Sequence, residues 1–594
     1  MPENNQLCFI TSSDRRFWSE AGPAVLMGEW CKNGHSDSEL NLREIYIGTP
    51  YGFSIAQRDM DHAIVRALEE KVFVDFCKVI NSAHGVNYSS RYWKIVLGQW
   101  FRTAISVVFN RVRTIQSCLE IHKPSFVIDP KEDEYLLPRS TSGEALWAYS
   151  DPKWDGHFNL RILKIIAPSL QYIQGSEIGQ EMEAEDKVNI SKWNVKKQIL
   201  ILAWKCTRKF SKYFVRDCDA FIINSYLPRF EEAKLQLYLK QFPQLWRSPE
   251  VHFAQEFDFK LRQKLCAQIQ IEDVGDVEGL FRSLIFDIIP KCYLEGYAHL
   301  VRQAEYLPWP KSPKFIFTSN NFGTDELFKV WTAKQVQSGV KYIVGQHGNN
   351  YGTHRYMNPS VEEETSDNFI SWGWRGGLHQ HVPGFNFKIP ANTVLRVDPK
   401  GDLLLVQVWA GHRVSTWDGS QQFINYMEDQ FSFVNGLNAN VRSLLNVRLH
   451  HDWARLDWNE PARWKKFDSD IKLDLGLLNI QDQIRRSRLV VHSYDSTGLL
   501  ETMALNIPTI AFWQNGLAHL RDEVKEDFQA LVDIGIIHLS PKSAAHMVNE
   551  IWDDTAAWWG EPKRKKIVEI FCSKYSKMSK NPAIELANCL LHCL

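Results

Sequence analysis

A turn after a predicted buried strand carries the first side chains that could do acid–base chemistry. The turn contains Gln346, His347, Asn349 and Tyr351. The imidazole of His347 can donate, accept or transfer a proton near neutral pH, and functional groups gather on turns that follow strands. Amide and aromatic side chains in the same turn suit a hydroxyl-rich ligand such as a sugar. The alternative is an ordinary tight turn whose polar side chains bond to the local backbone.

A carboxylate beside a short apolar segment is the second candidate. Asp367 precedes residues 368–371, and the aromatic sequence Trp372-Gly373-Trp374 follows them. A carboxylate there could act as a base or as a nucleophile on a sugar. A capping or turn role is an equal alternative. The neighbouring glutamate run at 362–364 is expected to be solvated surface.

A strand end in the second half of the chain could bind an anion. Arg448 and His450 close one predicted strand, and an arginine guanidinium pairs with phosphate or carboxylate in a forked geometry. The imidazole of His450 could add a donor to the same anion. A structural salt bridge of Arg448 is the alternative at this position.

The most informative segment is a strand that meets a hydroxyl-rich turn at the start of a helix. Its candidate residues are Ser493, Tyr494, Ser496, Thr497 and Glu501. Unpaired N–H groups at a helix start, beside hydroxyl groups, form a seat for phosphate. Glu501, about one turn inside the helix, is placed to hold ribose hydroxyls. Simple N-capping needs one hydroxyl residue rather than three, and the spacing matches neither a P-loop nor a GxGxxG fingerprint.

Two further segments, nearer the start of the chain, mix aromatic, amide and charged side chains. The candidates there are Glu29, His84, Asn87 and Arg91. Such a mixture could bind a glycan by stacking and hydrogen bonding. Packing in the core is the alternative, because most of the aromatic residues in a chain with 22 Trp are expected to be buried.

The elements that must position these residues follow an α/β pattern. Short apolar runs alternate with helical patterns, which is typical of parallel strands that are buried on both faces. The predicted strands are 7–11, 24–27, 125–128, 220–223, 314–319, 340–345, 403–409, 444–449, 489–492 and 508–512. The 594 residues are too many for one ordinary core. We therefore expect two Rossmann-like domains that face a cleft, 1–385 with large helical insertions and 386–594 with a C-terminal helical tail.

Composition excludes several classes of protein. Lys and Arg number 69 against 70 Asp and Glu, and this balance argues against a nucleic-acid partner. Apolar runs are well short of the roughly 20 residues that span a bilayer, and the first residues lack a signal-peptide pattern. We therefore expect a cytoplasmic protein with at most peripheral contact to the inner membrane. The eleven scattered cysteines fit a reducing compartment, and no metal site is assigned.

These segments together resemble a family of bacterial surface-carbohydrate (O-antigen) transferases. The resemblance covers nearly the whole chain and rests on 28–31, 84–93, 293–297, 345–352, 372–374 and 487–509. The predicted second domain is also distantly similar to the capsule and lipopolysaccharide Kdo transferases. The chain departs from that distant group at His450-His451-Asp452, where the group favours His-Pro.

The resemblance implies a GT-B-like glycosyltransferase of surface polysaccharide (O-antigen or capsule) biosynthesis. It would transfer a Kdo-like or nonulosonic acid from a CMP-activated donor to a glycan or lipid-linked glycan acceptor, without a further cofactor. The expected catalytic residues are His347, Asp367 and Gln346. The expected nucleotide-binding residues are Arg448, His450, Ser493, Tyr494, Ser496, Thr497 and Glu501. The expected acceptor-binding residues are Glu29, His84, Asn87, Arg91, Asn349 and Tyr351. The alternatives are the same fold with a UDP-sugar or CDP-polyol donor, or a non-catalytic carbohydrate-assembly protein.

Overall fold

Three parallel β-sheets with helices between their strands form the protein. The computed structural model describes residues 6–594 except for 20–21, 50, 52–53, 131–134, 176–213, 250–252, 254, 274, 358, 391–392, 410–422, 456–457 and 514. Parallel sheets are covered on both faces by their crossover helices, and the strands are accordingly short apolar segments. The predicted α/β fold class is confirmed, and each of the ten strands expected from the sequence is present.

The first sheet has the strand order β3-β2-β1-β4-β5. Its strands are β1 (Cys8–Ile10), β2 (Ala24–Leu26), β3 (Ile45–Ile47), β4 (Phe126–Asp129) and β5 (Gln171–Gln174). The helices of this part are α1 (Asp37–Leu40), α2 (Ile55–His84), α3 (Ser90–His122), α4 (Ser142–Ala148) and α5 (Pro152–Ile166). The long α2 and α3 supply the helical insertion that was expected. Even so, no helix in the described ranges is both long and apolar enough to cross a lipid bilayer.

The second sheet has the order β10-β9-β8-β7-β6 and carries most of the candidate residues. Its strands are β6 (Phe221–Ile223), β7 (Phe315–Thr318), β8 (Lys341–Gly345), β9 (Asn368–Ser371) and β10 (His381–Pro383). Its helices are α6 (Arg229–Tyr238), α7 (Phe259–Cys266), α8 (Val277–Ile288), α9 (Tyr297–Glu305), α10 (Glu326–Gln337) and α11 (Val361–Thr365). Because α3 packs against both α10 and α11, one continuous core joins the first two sheets.

The third sheet has the order β13-β12-β11-β14-β15-β16 and a core of its own. Its strands are β11 (Asp402–Val406), β12 (Leu445–Arg448), β13 (Lys472–Asp474), β14 (Ser487–His492), β15 (Thr509–Phe512) and β16 (Ile537–His538). The helices are α12 (Phe423–Asn435), α13 (Ala439–Arg442), α14 (Glu460–Phe467), α15 (Ile480–Arg486), α16 (Thr497–Ala504), α17 (Lys525–Asp533), α18 (Pro541–Ile551), α19 (Thr555–Gly560), α20 (Pro562–Tyr575) and α21 (Pro582–His592). Short 3-10 helices lie at Arg15–Phe17, Glu29–Lys32, Lys291–Tyr293, Trp453–Arg455, Asp522–Val524 and Trp552–Asp554.

The end of the chain returns to the second sheet. Helix α21 packs on α6, the N–H of Lys577 donates to the carbonyl of Trp372 at 2.9 Å, and the N–H of Asn386 donates to that of Lys577 at 2.7 Å. The range 1–385 thus holds two sheets, and the tail of the range 386–594 contacts the second of them. The domain limits expected from the sequence stay a prediction.

The carboxyl ends of the second and third sheets face each other. The loop after β8 meets the loop after β14, where the N–H of Asn349 donates to Thr497 Oγ1 at 3.0 Å and Asn349 Nδ2 donates to Asp495 Oδ1 at 2.6 Å. Farther along, His354 and Leu520 form an isolated antiparallel bridge. The two α/β units therefore face each other in the GT-B-like manner that was expected. Ligands of parallel sheets bind outside the carboxyl ends of the strands, so this junction is the place for a site.

Candidate functional site

Three ionisable side chains at this junction keep polar groups that are free of protein partners. His347 follows β8, Lys388 follows β10, and Glu501 lies in the second turn of α16. We call these three residues the cleft cluster. The Lys388 ammonium and the Glu501 carboxylate have neither a hydrogen bond nor an ion pair within the described part of the chain.

The charges of the cleft cluster act on one another. Burial, with help from the charge of Lys388, lowers the pKa of His347 to about 4. Burial also raises the pKa of Glu501, and Lys388 offsets part of that rise. The Lys388 Nζ lies 4.8 Å from the centroid of the Tyr226 ring, and burial lowers its pKa. At pH 7 the His347 imidazole is therefore neutral and able to accept a proton.

A chain of hydrogen bonds fixes the tautomer of His347. The hydroxyl of Tyr351 donates to Glu362 Oε1, and Glu362 Oε2 accepts from Gln99 Nε2 at 2.6 Å. Because the Tyr351 proton points to Glu362, His347 Nδ1–H donates to the Tyr351 oxygen, 2.9 Å away. The Nε2 of His347 then keeps its lone pair, and no described residue bonds to it. A neutral base that is oriented by a second group is typical of proton abstraction from a nucleophile.

Gln346 supports the turn that carries His347. Its Oε1 accepts from the N–H of Trp372 and from Trp374 Nε1, both at 2.8 Å, and its Nε2 donates to the carbonyl of Gly348 at 2.8 Å. The residue is 2% exposed. The structure therefore gives Gln346 a positioning role, in place of the catalytic role expected from the sequence, because its polar atoms are already bonded inside the protein.

The hydroxyl groups at the start of α16 are bonded within the protein. Ser493 Oγ donates to the backbone of β11 at 3.0 Å. Ser496 Oγ caps the helix by accepting from the N–H of Leu499 at 2.9 Å, and Thr497 Oγ1 accepts from the N–H of Asn349 at 3.0 Å. These three side chains shape the turn. The Ser493 hydroxyl proton is used within the protein, whereas the Thr497 hydroxyl accepts a bond and keeps its proton for a ligand.

Backbone groups and Glu501 remain available at the same helix start. The N–H groups of Thr497 and Gly498 have no acceptor among the described residues. Such groups and the helix dipole favour an anion. Burial, with the charge of Glu501, raises the pKa of half-buried Tyr494 to about 12, so the Tyr494 hydroxyl stays protonated beside that carboxylate. The unbonded N–H groups, Glu501 and Tyr494 therefore lie together at this helix start, and the anion seat expected there stays a prediction.

The cation at the carboxyl end of β12 is already paired within the described part of the chain. Arg448 is ion-paired with Asp474 of β13, so the structural salt bridge considered for it is present. His450 is half-buried, with its ring 6.4 Å from that of Trp409. The ring nitrogens of His450 and His451 and the Asp452 carboxylate lie within 4.8 Å of one another, close enough for a metal ion. Asp474 offsets the charge of Arg448, and the anion contact expected of Arg448 stays a prediction.

Asp367 lies at the opposite edge of the second sheet. Its Oδ2 accepts from the N–H of Tyr342 at 2.8 Å, and its Oδ1 pairs with Arg91 at 3.1 Å. Tyr342 is at the amino end of β8 and His347 follows its carboxyl end, so the rise of a strand separates Asp367 from His347 by roughly 15 Å. The structure therefore does not bring Asp367 and Arg91 together with His347, and the catalytic role of Asp367 and the acceptor contact of Arg91 stay predictions.

The other expected acceptor residues do not form one surface. Glu29 is exposed after β2 of the first sheet and is ion-paired within its own turn at 3.0 Å. His84 ends α2 and donates to a backbone carbonyl at 2.9 Å, and Asn87 is exposed between α2 and α3. Asn349 and Tyr351 lie at the junction, where both bond to other protein groups. The structure therefore places these residues apart from one another, although the sequence analysis expected them to bind one acceptor.

The sequence of the chain matches the profile of one known protein family. The sequence profile of the LIC12162 family transferase matches residues 7–590. The chain belongs to the LIC12162 transferase family. No curated protein sequence shows a significant match to it.

Several solved structures show a partial similarity to this LIC12162 family transferase. One is S. aureus MnaA with UDP, at 13% identity and a TM-score of 0.35 over 63% of this chain and 97% of that one. Another is Anabaena HepE with UDP-glucose, at 9% identity and a TM-score of 0.36 over 63% and 100%. A third is the wall teichoic acid polymerase TagF, at 11% identity and a TM-score of 0.30 over 67% and 94%.

Sequence reasoning missed three residues of the candidate site. Lys388 lies just after the predicted boundary between residues 385 and 386, yet it follows β10 at the same sheet edge as His347. Glu362 belongs to the glutamate run expected at the surface, yet it is 5% exposed. Tyr226 follows β6 with a left-handed φ of 63°, a conformation that aromatic residues seldom adopt. The available signal for Lys388 and Tyr226 was their position just after a strand of the same sheet.

Proposed function

We propose that the chain is a glycosyltransferase that moves a sugar from a nucleotide-activated donor to a glycan acceptor at the cleft cluster. The observation that carries the proposal is the set of unbonded groups at one junction. These are the Nε2 of His347, the ammonium of Lys388, the carboxylate of Glu501 and the N–H groups at the start of α16. Groups left unbonded inside a folded protein are costly unless a ligand uses them.

Each free group has a place in donor binding. The N–H groups of Thr497 and Gly498 would receive the phosphate, because a helix start favours an anion. The carboxylate of Glu501 would accept hydrogen bonds from the ribose hydroxyls. Lys388 would balance the negative charge that grows on the phosphate oxygen as the donor breaks. The proposal needs no cofactor beyond the donor, and it invokes no resident metal.

The reaction exchanges one bond for another. An acceptor hydroxyl oxygen attacks the anomeric carbon of the donor sugar, and the bond from that carbon to the phosphate oxygen breaks. The electron pair of the broken bond stays on the phosphate, and His347 Nε2 takes the hydroxyl proton. A neutral His347 with a pKa of about 4 binds that proton weakly, so the imidazolium can release it readily after transfer.

The finer identity of the donor rests on the sequence resemblance. We propose a CMP-linked Kdo-like or nonulosonic acid and an acceptor of surface polysaccharide synthesis, free or lipid-linked. A UDP-sugar or a CDP-polyol would fit the same backbone seat, because the phosphate contacts do not read the base. A cytoplasmic location with peripheral membrane contact remains a prediction of the sequence.

A thermal-shift screen with CMP, CDP, UDP and GDP tests the proposal. A ligand that binds the folded state alone raises the melting temperature, and 100-fold excess over Kd contributes about 2.7 kcal/mol. We expect pyrimidine nucleotides to raise the melting temperature of the wild type, and we expect CMP to give the largest rise. A rise with UDP or CDP alone would support the transferase and exclude the CMP donor.

The control for this screen is the variant Glu501→Gln. It keeps the shape of the side chain and removes the charged acceptor for ribose hydroxyls, so we expect a smaller nucleotide-induced rise. If no nucleotide stabilises the wild type, the proposed function is wrong.

A further inference from the structure

A second cavity lies beside the cleft cluster, on the second sheet alone. It has a volume of about 530 Å³ and opens at the carboxyl ends of β6 and β7. The residues that matter to the argument are Asn224, Tyr226, Arg229, Trp246, Asn321 and Asp325. We refer to this cavity as the β6 pocket. Its volume is enough for a ligand of the size of one or two sugar rings.

The β6 pocket and the cleft cluster share a wall. Tyr226 lines the pocket, and the Nζ of Lys388 lies 4.8 Å from the centroid of its ring. The loop after β7 contributes Asn321 to the pocket and, one residue later, Phe322, whose ring is 5.6 Å from that of His347. Through Tyr226 and Phe322 the pocket therefore lies one side chain away from Lys388 and His347.

The acidic groups of the β6 pocket are already bonded. Asp325 accepts from Asn321 Nδ2 at 2.6 Å and from Ser248 Oγ. Glu232 accepts from Ser225 Oγ. Burial raises the pKa of both carboxyls. These two carboxylates shape the wall of the pocket and leave little capacity for a cationic ligand.

The groups that remain open in the β6 pocket are hydrogen-bond donors and aromatic faces. Arg229 is exposed, and its guanidinium has no hydrogen bond or ion pair among the described residues. Trp246 also lines the pocket and is 8% exposed, but its Nε1 atom is buried, so Trp246 contributes indole surface rather than a donor. Tyr226 adds an aromatic face. Sugar rings stack on aromatic faces, and a guanidinium at the rim selects an anionic group.

We propose that the β6 pocket is the acceptor subsite and that it takes a sugar bearing a negatively charged group, a carboxylate or a phosphate. This inference rests on the proposed function, since it places the acceptor beside His347. The charged group pairs with Arg229 at the rim, the ring lies against Tyr226, and a hydroxyl of the sugar reaches His347 Nε2.

Ligand-observed saturation-transfer NMR with three probes tests the inference. The probes are glucuronic acid, glucose 6-phosphate and glucose, each added to the protein with the nucleotide that gave the largest thermal shift. We expect saturation transfer to one or both charged sugars and little to glucose. The two charged probes distinguish a carboxylate from a phosphate as the recognised group.

Two variants and a matched control locate the binding. Arg229→Gln is expected to lower the affinity for the charged probe by about tenfold, the effect of losing one charge-assisted hydrogen bond. Trp246→Phe is expected to lower this affinity as well, although the variant keeps an aromatic ring in the wall of the pocket. Arg396→Gln is the control, because Arg396 is exposed and unpaired before β11, and it should leave binding unchanged.

The outcomes separate this inference from the proposed function. Equal transfer to glucose and to the charged sugars, no transfer to any of them, or an unaltered affinity in Arg229→Gln would overturn the inference. In those cases a nucleotide-induced thermal shift would leave the proposed function standing. If charged sugars bind and no nucleotide does, the acceptor role is wrong, because the transferase on which it rests has failed.

Discussion

The two edges of the second sheet carry similar side chains in opposite states. At the amino edge, Asp367 pairs with Arg91 at 3.1 Å, and Glu364 pairs with Arg102 at 2.8 Å. At the carboxyl edge, the polar ends of Lys388 and Glu501 have no hydrogen bond or ion pair among the described residues. Residue type is therefore a poor guide to function in this sheet. What separates the edges is whether the polar groups are already bonded inside the protein.

The difference follows from the direction of parallel strands. Loops at the carboxyl edge of the second sheet face the third sheet across a junction, whereas the amino edge is covered by α2, α3 and α11 of the same unit. Covered charges must be paired, because an unpaired buried charge is expensive. Groups at a junction that a ligand enters can remain unpaired until the ligand arrives.

The largest expected effect compares His347 with Asp367. His347→Gln removes the proton acceptor and should lower turnover by about 10²–10⁴-fold, with little change in melting temperature. Asp367→Asn removes a charged partner of Arg91 and should lower the free energy of unfolding by about 1–3 kcal/mol without changing turnover. Steady-state rates with the identified donor and differential scanning calorimetry on both variants check this. Loss of turnover in Asp367→Asn with an unchanged free energy of unfolding would contradict the structural role given to Asp367.

The second effect compares two glutamates. Glu501→Gln loses a charged acceptor for ribose hydroxyls, so the nucleotide Kd should rise by about 10–100-fold. Glu364→Gln is the matched change at the amino edge, where the carboxylate pairs with Arg66, Lys94 and Arg102. It should reduce stability and leave the nucleotide Kd unchanged. Isothermal titration calorimetry measures both constants, and equal constants for Glu501→Gln and wild type would contradict the assignment.

The third effect concerns the junction itself in acid. Burial, with the nearby His519, lowers the pKa of His354 to about 3, below the ordinary value of about 6.5. Between pH 6.5 and 3 the unfolded chain binds a proton at this residue that the folded chain does not, so stability falls as the pH falls. One such proton contributes a slope of about 1.4 kcal/mol per pH unit.

Urea unfolding between pH 7 and 4.5 measures that slope. His354→Gln should show a shallower loss of stability than wild type over this range, because the substituted side chain does not titrate. An identical slope in both proteins would mean that His354 is protonated equally in the folded and unfolded states.

The smallest effect concerns Lys388. Its charge contributes to the lowered pKa of His347, so Lys388→Met should raise that pKa from about 4 toward the ordinary value of about 6.5. Burial remains the larger cause, so we expect a rise below one unit. The acidic limb of the pH–rate profile should move to higher pH by the same amount, and a limb that moves to lower pH would contradict the arrangement of charges.

Much of the fold could be predicted because buried parallel strands read as short apolar runs. Residues 314–319 and 340–345 predicted β7 and β8 almost to the residue. In the third sheet β11, β12, β14 and β15 were predicted, whereas the short edge strands β13 and β16 were not. The first two sheets were harder to separate because α3 joins their cores. Nothing in a local pattern states which strands share a sheet.

The candidate site was predicted where a residue follows a strand and missed where distant segments meet. His347 and Glu501 follow β8 and β14 along the chain, and both lie at the junction. Asp367 was misplaced because it precedes β9, and a residue before a parallel strand lies at the amino edge. Lys388 joins the cleft cluster through contacts that link separate parts of the chain, which local spacing does not record.

The roles of the hydroxyl residues illustrate a second limit. Ser496 was expected to bind phosphate, and it caps α16 instead. Capping and phosphate binding use the same residue types at the same helix start, because both satisfy free N–H groups. The sequence therefore could not tell which hydroxyl groups at this helix start are used for capping, and the anion seat there stays a prediction.

A crystal structure with the tightest-binding nucleotide would show directly whether the donor binds at the start of α16. We expect phosphate density against the N–H groups of Thr497 and Gly498, and ribose hydroxyls within hydrogen-bond distance of Glu501. Nucleotide density at the amino edge of the second sheet, or any site that leaves Glu501 and the start of α16 untouched, would contradict it.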